Sequence, residues 1–225
     1  CDMVNLSKNH KILELFHGPT FAFKDFAMQM IARMFHQALK NIRKSITIIV
    51  ATSGDTGAAA VHAFRNLEFV NLYVLFPKDR ISEIQRRQMT TENASNVSVV
   101  SVDGNFDDCQ SIVKSIFNDK DFSKAVSLTG VNSINWARII SQVVYYLFAA
   151  SRLPTSAKID FCVPTGNFGN IYAGYVAKKL GVNIDKLIIA TNSNDILHRT
   201  LSSGRYRKGD VLRTFSPSMD IQVSS

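Results

Sequence analysis

The chain has 225 residues, of which 46% are hydrophobic and 20% charged, a balance that is typical of a soluble globular protein. Its 26 basic and 18 acidic residues give a net charge of +8, but the basic residues are spread out. Their densest runs, 86–87 and 205–208, contain no stacking motif, so we predict no nucleic-acid partner. No apolar run approaches the length of a membrane span and no signal peptide is visible, so we predict no membrane association.

Apolar runs typical of strands alternate along the chain with stretches that have the period of amphipathic helices. In chain order, we predict strands at 12–16, 46–51, 70–76, 97–102, 159–163 and 187–191, and helices at 24–40, 57–66, 82–91, 106–118, 134–152 and 169–180. This alternation predicts an α/β fold with parallel sheets and right-handed crossovers. The linker-like segment 153–158 separates a long apolar helix from a new buried strand and predicts a domain boundary.

Lys24 begins the first predicted helix, in the run Phe-His-Gly-Pro-Thr-Phe-Ala-Phe-Lys-Asp-Phe that covers 16–26. The Gly-Pro pair predicts a turn, Phe21 and Phe23 an apolar wall, and Asp25 a favourable carboxylate in the first helical turn. A lysine there would be partly desolvated, which lowers its pKa and exposes a nucleophilic amine of the kind that forms a Schiff base. The alternative is a surface lysine at a helix start.

The segment Val-Pro-Thr-Gly-Asn-Phe-Gly-Asn at 163–170 joins a predicted strand to a predicted helix. Gly166 and Gly169 permit a tight turn and a close approach, and the N–H groups of a helix N-terminus suit a phosphate. The segment is neither a P-loop nor a dinucleotide fingerprint, and an ordinary strand-to-helix turn is the alternative. Together with a desolvated lysine, it suggests pyridoxal phosphate as the cofactor.

A second polar loop, Thr-Ser-Gly-Asp-Thr-Gly at 52–57, follows the strand 46–51 and leads into a helix. Thr52, Ser53 and Thr56, with free N–H groups at the helix start, could hold a carboxylate. The alternative is that Asp55 or Thr56 only caps the helix.

A third polar group, Asn132, Ser133, Asn135 and Arg138, opens an otherwise apolar helix. Asn135 and Arg138 are three residues apart, hence on one face. A guanidinium with amide and hydroxyl donors suits a dianionic phosphate. The alternative is that Asn132 or Ser133 caps the helix and Arg138 lies at the surface. We expect Trp136 in the core.

These motifs, at 16–26, 51–57, 132–138 and 164–170, resemble those of the threonine synthase family, in the branch found in bacteria and fungi and in threonine-synthase-like proteins. The resemblance covers essentially the whole chain, including 216–223. It implies the fold type II architecture of pyridoxal-phosphate enzymes, related to the tryptophan synthase β subunit, with two parallel-sheet domains.

The family resemblance also implies how the chain divides. Residues 1–23 and 153–225 are expected to belong to a large cofactor domain, and 24–152 to a small α/β domain, with Lys24 at their interface. Because enzymes of this family are considerably longer, we expect the chain to be incomplete at both ends.

For the site residues, the resemblance implies that Lys24 bonds pyridoxal phosphate and later moves protons at the substrate carbons. The cofactor phosphate is expected at Gly166, Asn167, Phe168, Gly169 and Asn170, the ring and the substrate carboxylate at Thr52, Ser53, Asp55 and Thr56, and the substrate phosphate at Asn132, Ser133, Asn135 and Arg138. Some relatives carry Asn in place of Asp55. Because an ionised Asp cannot donate to the ring phenolate, Asp55 is expected to cap the helix or to be protonated.

The activity that the resemblance implies converts O-phospho-L-homoserine and water to L-threonine and phosphate, by γ-elimination and β-hydration. Two alternatives stay open: a related lyase, such as a phosphohomoserine phospho-lyase or a serine/threonine dehydratase that releases a 2-oxo acid, and a pseudoenzyme that keeps only the fold. Three distant cysteines without metal spacing predict a reduced, cytoplasmic setting and no metal site. No particular oligomeric state is indicated.

Overall fold

The computed structural model describes residues 1–224 and has an α/β fold with parallel sheets. Over these residues the strands are β1 (Met3–Asn5), β2 (Lys11–Leu13), β3 (Ile46–Ala51), β4 (Val70–Pro77), β5 (Val97–Val102), β6 (Leu128–Thr129), β7 (Ile159–Pro164) and β8 (Ile184–Ala190). The helices are α1 (Lys24–Ile42), α2 (Asp55–Phe64), α3 (Glu83–Thr90), α4 (Phe106–Asn118), α5 (Lys120–Ala125), α6 (Trp136–Ser151), α7 (Gly169–Lys179) and α8 (Ile196–Ser203), with a 3-10 turn at Pro217–Met219.

Four parallel strands form the larger sheet, in the order β5-β4-β3-β6. Successive side chains of β3 point to opposite faces, as the pleat requires. Ile48 and Val50 join a core with α1 and α2, whereas Ile49 packs with Cys109 of α4 on the other face. The sheet is therefore covered by helices on both sides, which explains why its strands are almost continuously apolar.

A second core surrounds the parallel pair β7 and β8. Helices α6 and α7 pack here, with Val143 and Tyr146 of α6 beside Val163 and Ile171. Phe23 and Phe26, at the start of α1, also pack against this core, although the rest of α1 belongs to the first. The start of α1 thus lies where the two cores meet. The division into 1–23, 24–152 and 153–225 stays a prediction.

The long predicted helices and strands are confirmed, with small shifts at their ends. The larger differences concern short segments and helix ends with caps. The predicted strand 12–16 is only Lys11–Leu13, paired with an unpredicted β1, because Leu15 packs against the second core without strand pairing. The sequence also gave no signal for α5, β6 and α8, which have two to eight residues each. Within residues 1–224, no helix combines the length and the apolar character that crossing a membrane would need.

Candidate active site

A cavity of about 930 Å³ opens where the carboxyl ends of β3, β6 and β7 face the start of α1. Open α/β sheets bind ligands at this end of their strands, and the volume suits a small molecule. All but two of the predicted site residues line it: Lys24, Thr52, Ser53, Asp55, Thr56, Asn132, Ser133, Arg138, Gly166, Asn167, Gly169 and Asn170. The exceptions are Phe168 and Asn135. What each lining residue binds stays a prediction.

Lys24 is the first residue of α1 and its side chain is only 13% exposed. Its Nζ donates to Asp55 Oδ2 at 2.9 Å. Burial, the largest influence, lowers the pKa of Lys24; the Asp55 carboxylate opposes this shift and Arg138 adds to it. The expected desolvated amine is therefore present, and the alternative of an ordinary surface lysine is wrong.

The turn that precedes Lys24 is held at two points. The buried Asp25 carboxylate accepts from the backbone N–H of Thr20 at 2.9 Å and from its hydroxyl at 2.6 Å. The hydroxyl of Tyr145, on α6, donates to the carbonyl of Phe23 at 2.6 Å. These bonds fix the entry of the chain into α1 and so orient Lys24 toward the cavity.

Asp55 is the first residue of α2, and its carboxylate accepts hydrogen bonds from Lys24, Gln85 and Ser218. Burial is the largest influence on its pKa and raises it, but the Lys24 ammonium and the bonds from Ser218 and Gln85 together bring the pKa below its usual value. Asp55 is therefore ionised at neutral pH. The expected capping role is wrong, since Gly54 occupies the N-cap. A protonated carboxyl beside the cofactor ring stays a prediction.

The side chain that caps α2 is that of Thr52, two residues before the N-cap residue Gly54. Its buried hydroxyl oxygen accepts from the N–H groups of Gly54 and Gly57 at 2.9 and 2.8 Å. The prediction that Thr56 could be the cap is also wrong. Within residues 1–224, the side chains of Ser53 and Thr56 make no hydrogen bond with the protein, so their hydroxyls face the cavity as available donors.

Arg138 lies on the first turns of α6 and is only 2% exposed, so the alternative of a surface arginine is wrong. Its Nη1 donates to the carbonyl of Val131 at 3.1 Å. The Nε is buried and has no partner among the described residues. Burial lowers the pKa of Arg138 to about 10, which keeps it charged at neutral pH. Because Arg138 also lines the cavity, it places a buried, incompletely hydrogen-bonded positive charge at the wall, which suits an anion.

Asn135 does not share this wall, contrary to the prediction. It is the N-cap of α6: its Oδ1 accepts from the N–H of Ala137 and its Nδ2 donates to the carbonyl of Gly130, both at 3.0 Å. The three-residue spacing rule holds only inside a helix, and Asn135 stands just before the first helical residue. Its amide braces the loop that carries Asn132 and Ser133, so the capping alternative named the wrong residues.

Phe168 also lies outside the cavity, because as N-cap of α7 it packs against the second core. Gly166 lines the cavity and its φ is not positive, so the backbone conformation does not require glycine here. The close approach is real, however: a Cβ at Gly166 would lie 2.9 Å from the Cα of Met219. Asn170 is held by Tyr146, whose hydroxyl donates to its carbonyl at 2.7 Å and lies 3.2 Å from its Oδ1.

Several lining or supporting residues escaped prediction. Ser218 and Met219 lie in a segment that carried the family resemblance but no role, and Gln142 and Lys114 lie on helices that cover the cavity. The pattern Ser82-x-x-Gln85 is a capping-box signature visible in the sequence, but its contact with Asp55 is not. Trp136, expected in the core, is 55% exposed.

The aromatic wall proposed upstream of Lys24 is confirmed in part. Phe21 and Phe23 both line the cavity, as expected. Phe21 is nevertheless 71% exposed, so it lies at the mouth of the cavity. Its φ is +58°.

The comparisons with known proteins agree with this geometry. A family model described as pyridoxal-phosphate dependent enzyme matches residues 7–225. A threonine synthase from Pseudomonas aeruginosa is 50% identical over 221 residues, 98% of this chain and 47% of the relative. One from Saccharomyces cerevisiae is 51% identical over 97% of this chain and 45% of its own length.

Among solved structures, the crystal structure of PLP-bound threonine synthase from Brucella melitensis superposes with a TM-score of 0.90 at 56% identity, covering all of this chain and 48% of that one. This chain spans about half the length of the curated relatives it matches. Because the family model covers nearly the whole sequence, the chain belongs to the family of pyridoxal-phosphate dependent enzymes.

Proposed function

We propose that this chain forms part of a threonine synthase, which converts O-phospho-L-homoserine and water to L-threonine and phosphate. The observation that carries the proposal is that the buried cation of Arg138 lines the same cavity as the desolvated amine of Lys24. Relatives of that name at about half identity over nearly the whole chain support it.

The residues of the cavity suit pyridoxal phosphate. The amine of Lys24 is buried and has a lowered pKa, which favours the neutral, nucleophilic form that reacts with an aldehyde. The first helical hydrogen bond of α7 runs from the N–H of Tyr172 to the carbonyl of Phe168, so the N–H groups just before it point out of the helix start. Gly166, Asn167, Gly169 and Asn170 surround this helix start and would hold the phosphate.

Pyridoxal phosphate, when bound, withdraws electrons from the substrate and makes its Cα–H bond acidic. Lys24 supplies the base. Its free amine would accept the Cα proton and, once it has passed that proton on, would carry the Cβ proton to Cγ as the γ-phosphate leaves. Water then adds its hydroxyl at Cβ, its remaining proton leaves with the phosphate, and a proton is returned to Cα. One lysine can serve these transfers because its amine lies at the end of a flexible side chain on one side of the cavity.

The polar groups of the two loops orient the substrate around Lys24. The free hydroxyls of Ser53 and Thr56, beside the N-terminus of α2, suit the amino-acid carboxylate. Arg138, flanked by Asn132 and Ser133, suits the γ-phosphate, and its charge stabilises that group as it departs. Since Arg138 is held rigidly by Val131 and by burial, it needs little reorganisation during the reaction.

Product analysis of the full-length protein tests the proposal. Incubation with O-phospho-L-homoserine should release threonine and phosphate in equal amounts. A 2-oxo acid with ammonia would instead identify a phospho-lyase or dehydratase. A protein that takes up no cofactor at Lys24 would be a pseudoenzyme, although the intact lysine and glycine loop argue against that outcome. A cytoplasmic location also belongs to this proposal, supported by cysteines that are free in the structure.

A further inference from the structure

Gln85 connects the start of α3 to the pair formed by Lys24 and Asp55. Asp55 uses both carboxylate oxygens: Oδ2 accepts from Lys24 Nζ at 2.9 Å, and Oδ1 accepts from the side-chain amide of Gln85. Gln85 lies on a different helix from either partner, 30 residues from Asp55 in sequence. The contact is therefore a product of the fold and not of local sequence.

The orientation of the Gln85 amide is determined by its other partner. Its Oε1 accepts from the N–H of Ser82 at 3.3 Å and from the Ser82 hydroxyl at 2.9 Å, within the capping box of α3. A backbone N–H can only donate, so the amide oxygen must face Ser82 and the NH₂ group must face Asp55. The capping box thus aims a donor at the carboxylate.

Gly54 shows that the chain makes room for this arrangement. It has a φ of +133°, and a Cβ built there would lie 2.2 Å from the Gln85 Oε1. The amide therefore lies directly against the backbone at the N-cap of α2, where any side chain other than hydrogen would displace it. A glycine at this position both permits the backbone conformation and admits the Gln85 side chain.

We propose that Gln85 is a positioning residue for Lys24: it holds the Asp55 carboxylate in register with the lysine and thereby sets how readily the amine loses its proton. The inference rests on the proposed function of Lys24 as the cofactor-bonding residue. The charged groups that face Lys24 are Asp55 from α2 and Arg138 from α6, which act in opposite directions on its pKa. A residue that fixes the position of Asp55 therefore affects the balance between these two opposing influences on the pKa of Lys24.

Two substitutions of Gln85 should move the ionisation of Lys24 in opposite directions. Gln85→Glu keeps the shape and adds a negative charge beside the ion pair, which stabilises the ammonium and should raise the apparent pKa of Lys24 by about 1. Gln85→Met keeps the length but donates nothing, so Asp55 Oδ1 loses its amide partner and the carboxylate is held less firmly beside Lys24; the apparent pKa should fall by about 0.5 to 1. A merely structural role would not give opposite shifts.

The measurement is trace reductive methylation of the cofactor-free full-length protein with formaldehyde and borohydride between pH 7 and about 11, the range over which lysine titrates. Mass spectrometry of the Lys24 peptide gives the rate at each pH. The controls are Gln88→Glu and Gln88→Met, one turn along α3, which make the same chemical changes at a glutamine whose side chain donates to the carbonyl of Thr20 at 3.3 Å and not to Asp55. Melting temperatures establish that each variant is folded.

Opposite shifts at Gln85 with an unchanged Lys24 in the Gln88 variants would support the inference. Shifts of the same sign at Gln85, or none, would overturn it. If Gln85→Glu does not fold, a lowered pKa in Gln85→Met supports the inference and an unchanged or raised one overturns it. The assay needs neither cofactor nor substrate. A protein that makes no threonine could still show the shifts, whereas an active threonine synthase without them would refute only the inference about Gln85.

Discussion

The Nζ of Lys24 lies 2.9 Å from the Oδ2 of Asp55, so the first residue of α1 is paired with the first residue of α2. Both groups are largely buried, and each shifts the pKa of the other. The pair joins the motifs at 16–26 and 51–57, and it places the reactive amine beside a negative charge.

Lys24 should be the residue that bonds the cofactor. When the full-length protein is loaded with pyridoxal phosphate and reduced with borohydride, mass spectrometry should find the cofactor on the Lys24 peptide. Lys114 is the matched control, because it lines the same cavity but is exposed. Lys24→Ala should abolish the labelling and Lys114→Ala should preserve it. Label on Lys114 or another lysine would refute the assignment.

Asp55 should make stability depend on acid. Its pKa in the folded protein is below the ordinary 3.8, so the unfolded chain binds more protons in acid and stability rises with pH. This contribution is complete above the unfolded pKa and is lost as pH falls through the lower, folded value. In Asp55→Asn the free energy of unfolding should depend less steeply on pH in this range. At neutral pH it should fall by roughly 1–3 kcal/mol, since Lys24 loses its counter-ion.

Urea unfolding of the full-length protein at a series of pH values measures both effects. Asp210→Asn is the control, because Asp210 is exposed and forms no ion pair within the described residues. Equal pH dependence in the parent and in Asp55→Asn would show that the carboxylate is not stabilised by its partners in solution.

The Gly166 backbone should tolerate no side chain. A Cβ there would lie 2.9 Å from the Cα of Met219, so Gly166→Ala must push apart two segments that line the cavity. Overpacking of this kind costs about 1–3 kcal/mol. If this cost raises the free energy of the cofactor-bound protein, cofactor binding should weaken roughly tenfold. Gly130→Ala is the control, because its Cβ would lie 3.4 Å from a ring atom of Phe117, an ordinary contact. Equal cofactor affinity in both variants, by fluorescence titration, would contradict this.

Local motifs predicted the parts of the site whose position depends on neighbours in sequence. Lys24 after a Gly-Pro turn, and polar loops between a buried strand and a helix, are placed by the geometry of one strand-loop-helix unit. Gln85 and Ser218 reach Asp55 from other elements, so no spacing in the sequence could reveal them. The same limit applies to Met219. Its backbone comes so close to position 166 that only a glycine fits there, and this close contact, not a positive φ, explains Gly166.

Helix α6 shows a different limit. It is apolar nearly all round, so its period cannot tell which stripe is buried. Val143 and Tyr146 face the second core, whereas Trp136 and Val144 are more than half exposed. Asn135 was misjudged for a related reason, because a shift of the helix start by two residues changes a wall residue into a cap.

Arg138 should be specific for the phosphate of the substrate. Arg138→Lys keeps a charge but loses the planar fork, including the Nε that is buried without a protein partner. Losing a charged hydrogen bond of this kind costs about 1.5–3 kcal/mol, so kcat/KM for O-phospho-L-homoserine should fall roughly ten- to a hundredfold. Binding of serine to the cofactor-loaded enzyme, followed by its absorbance change, should be nearly unaffected, because serine needs only Lys24 and the carboxylate loop. Equal losses for both ligands, with a lowered melting temperature, would make Arg138 a structural residue. An unchanged rate with O-phospho-L-homoserine would place the phosphate elsewhere, with Lys114, which also lines the cavity, as the next cation to replace.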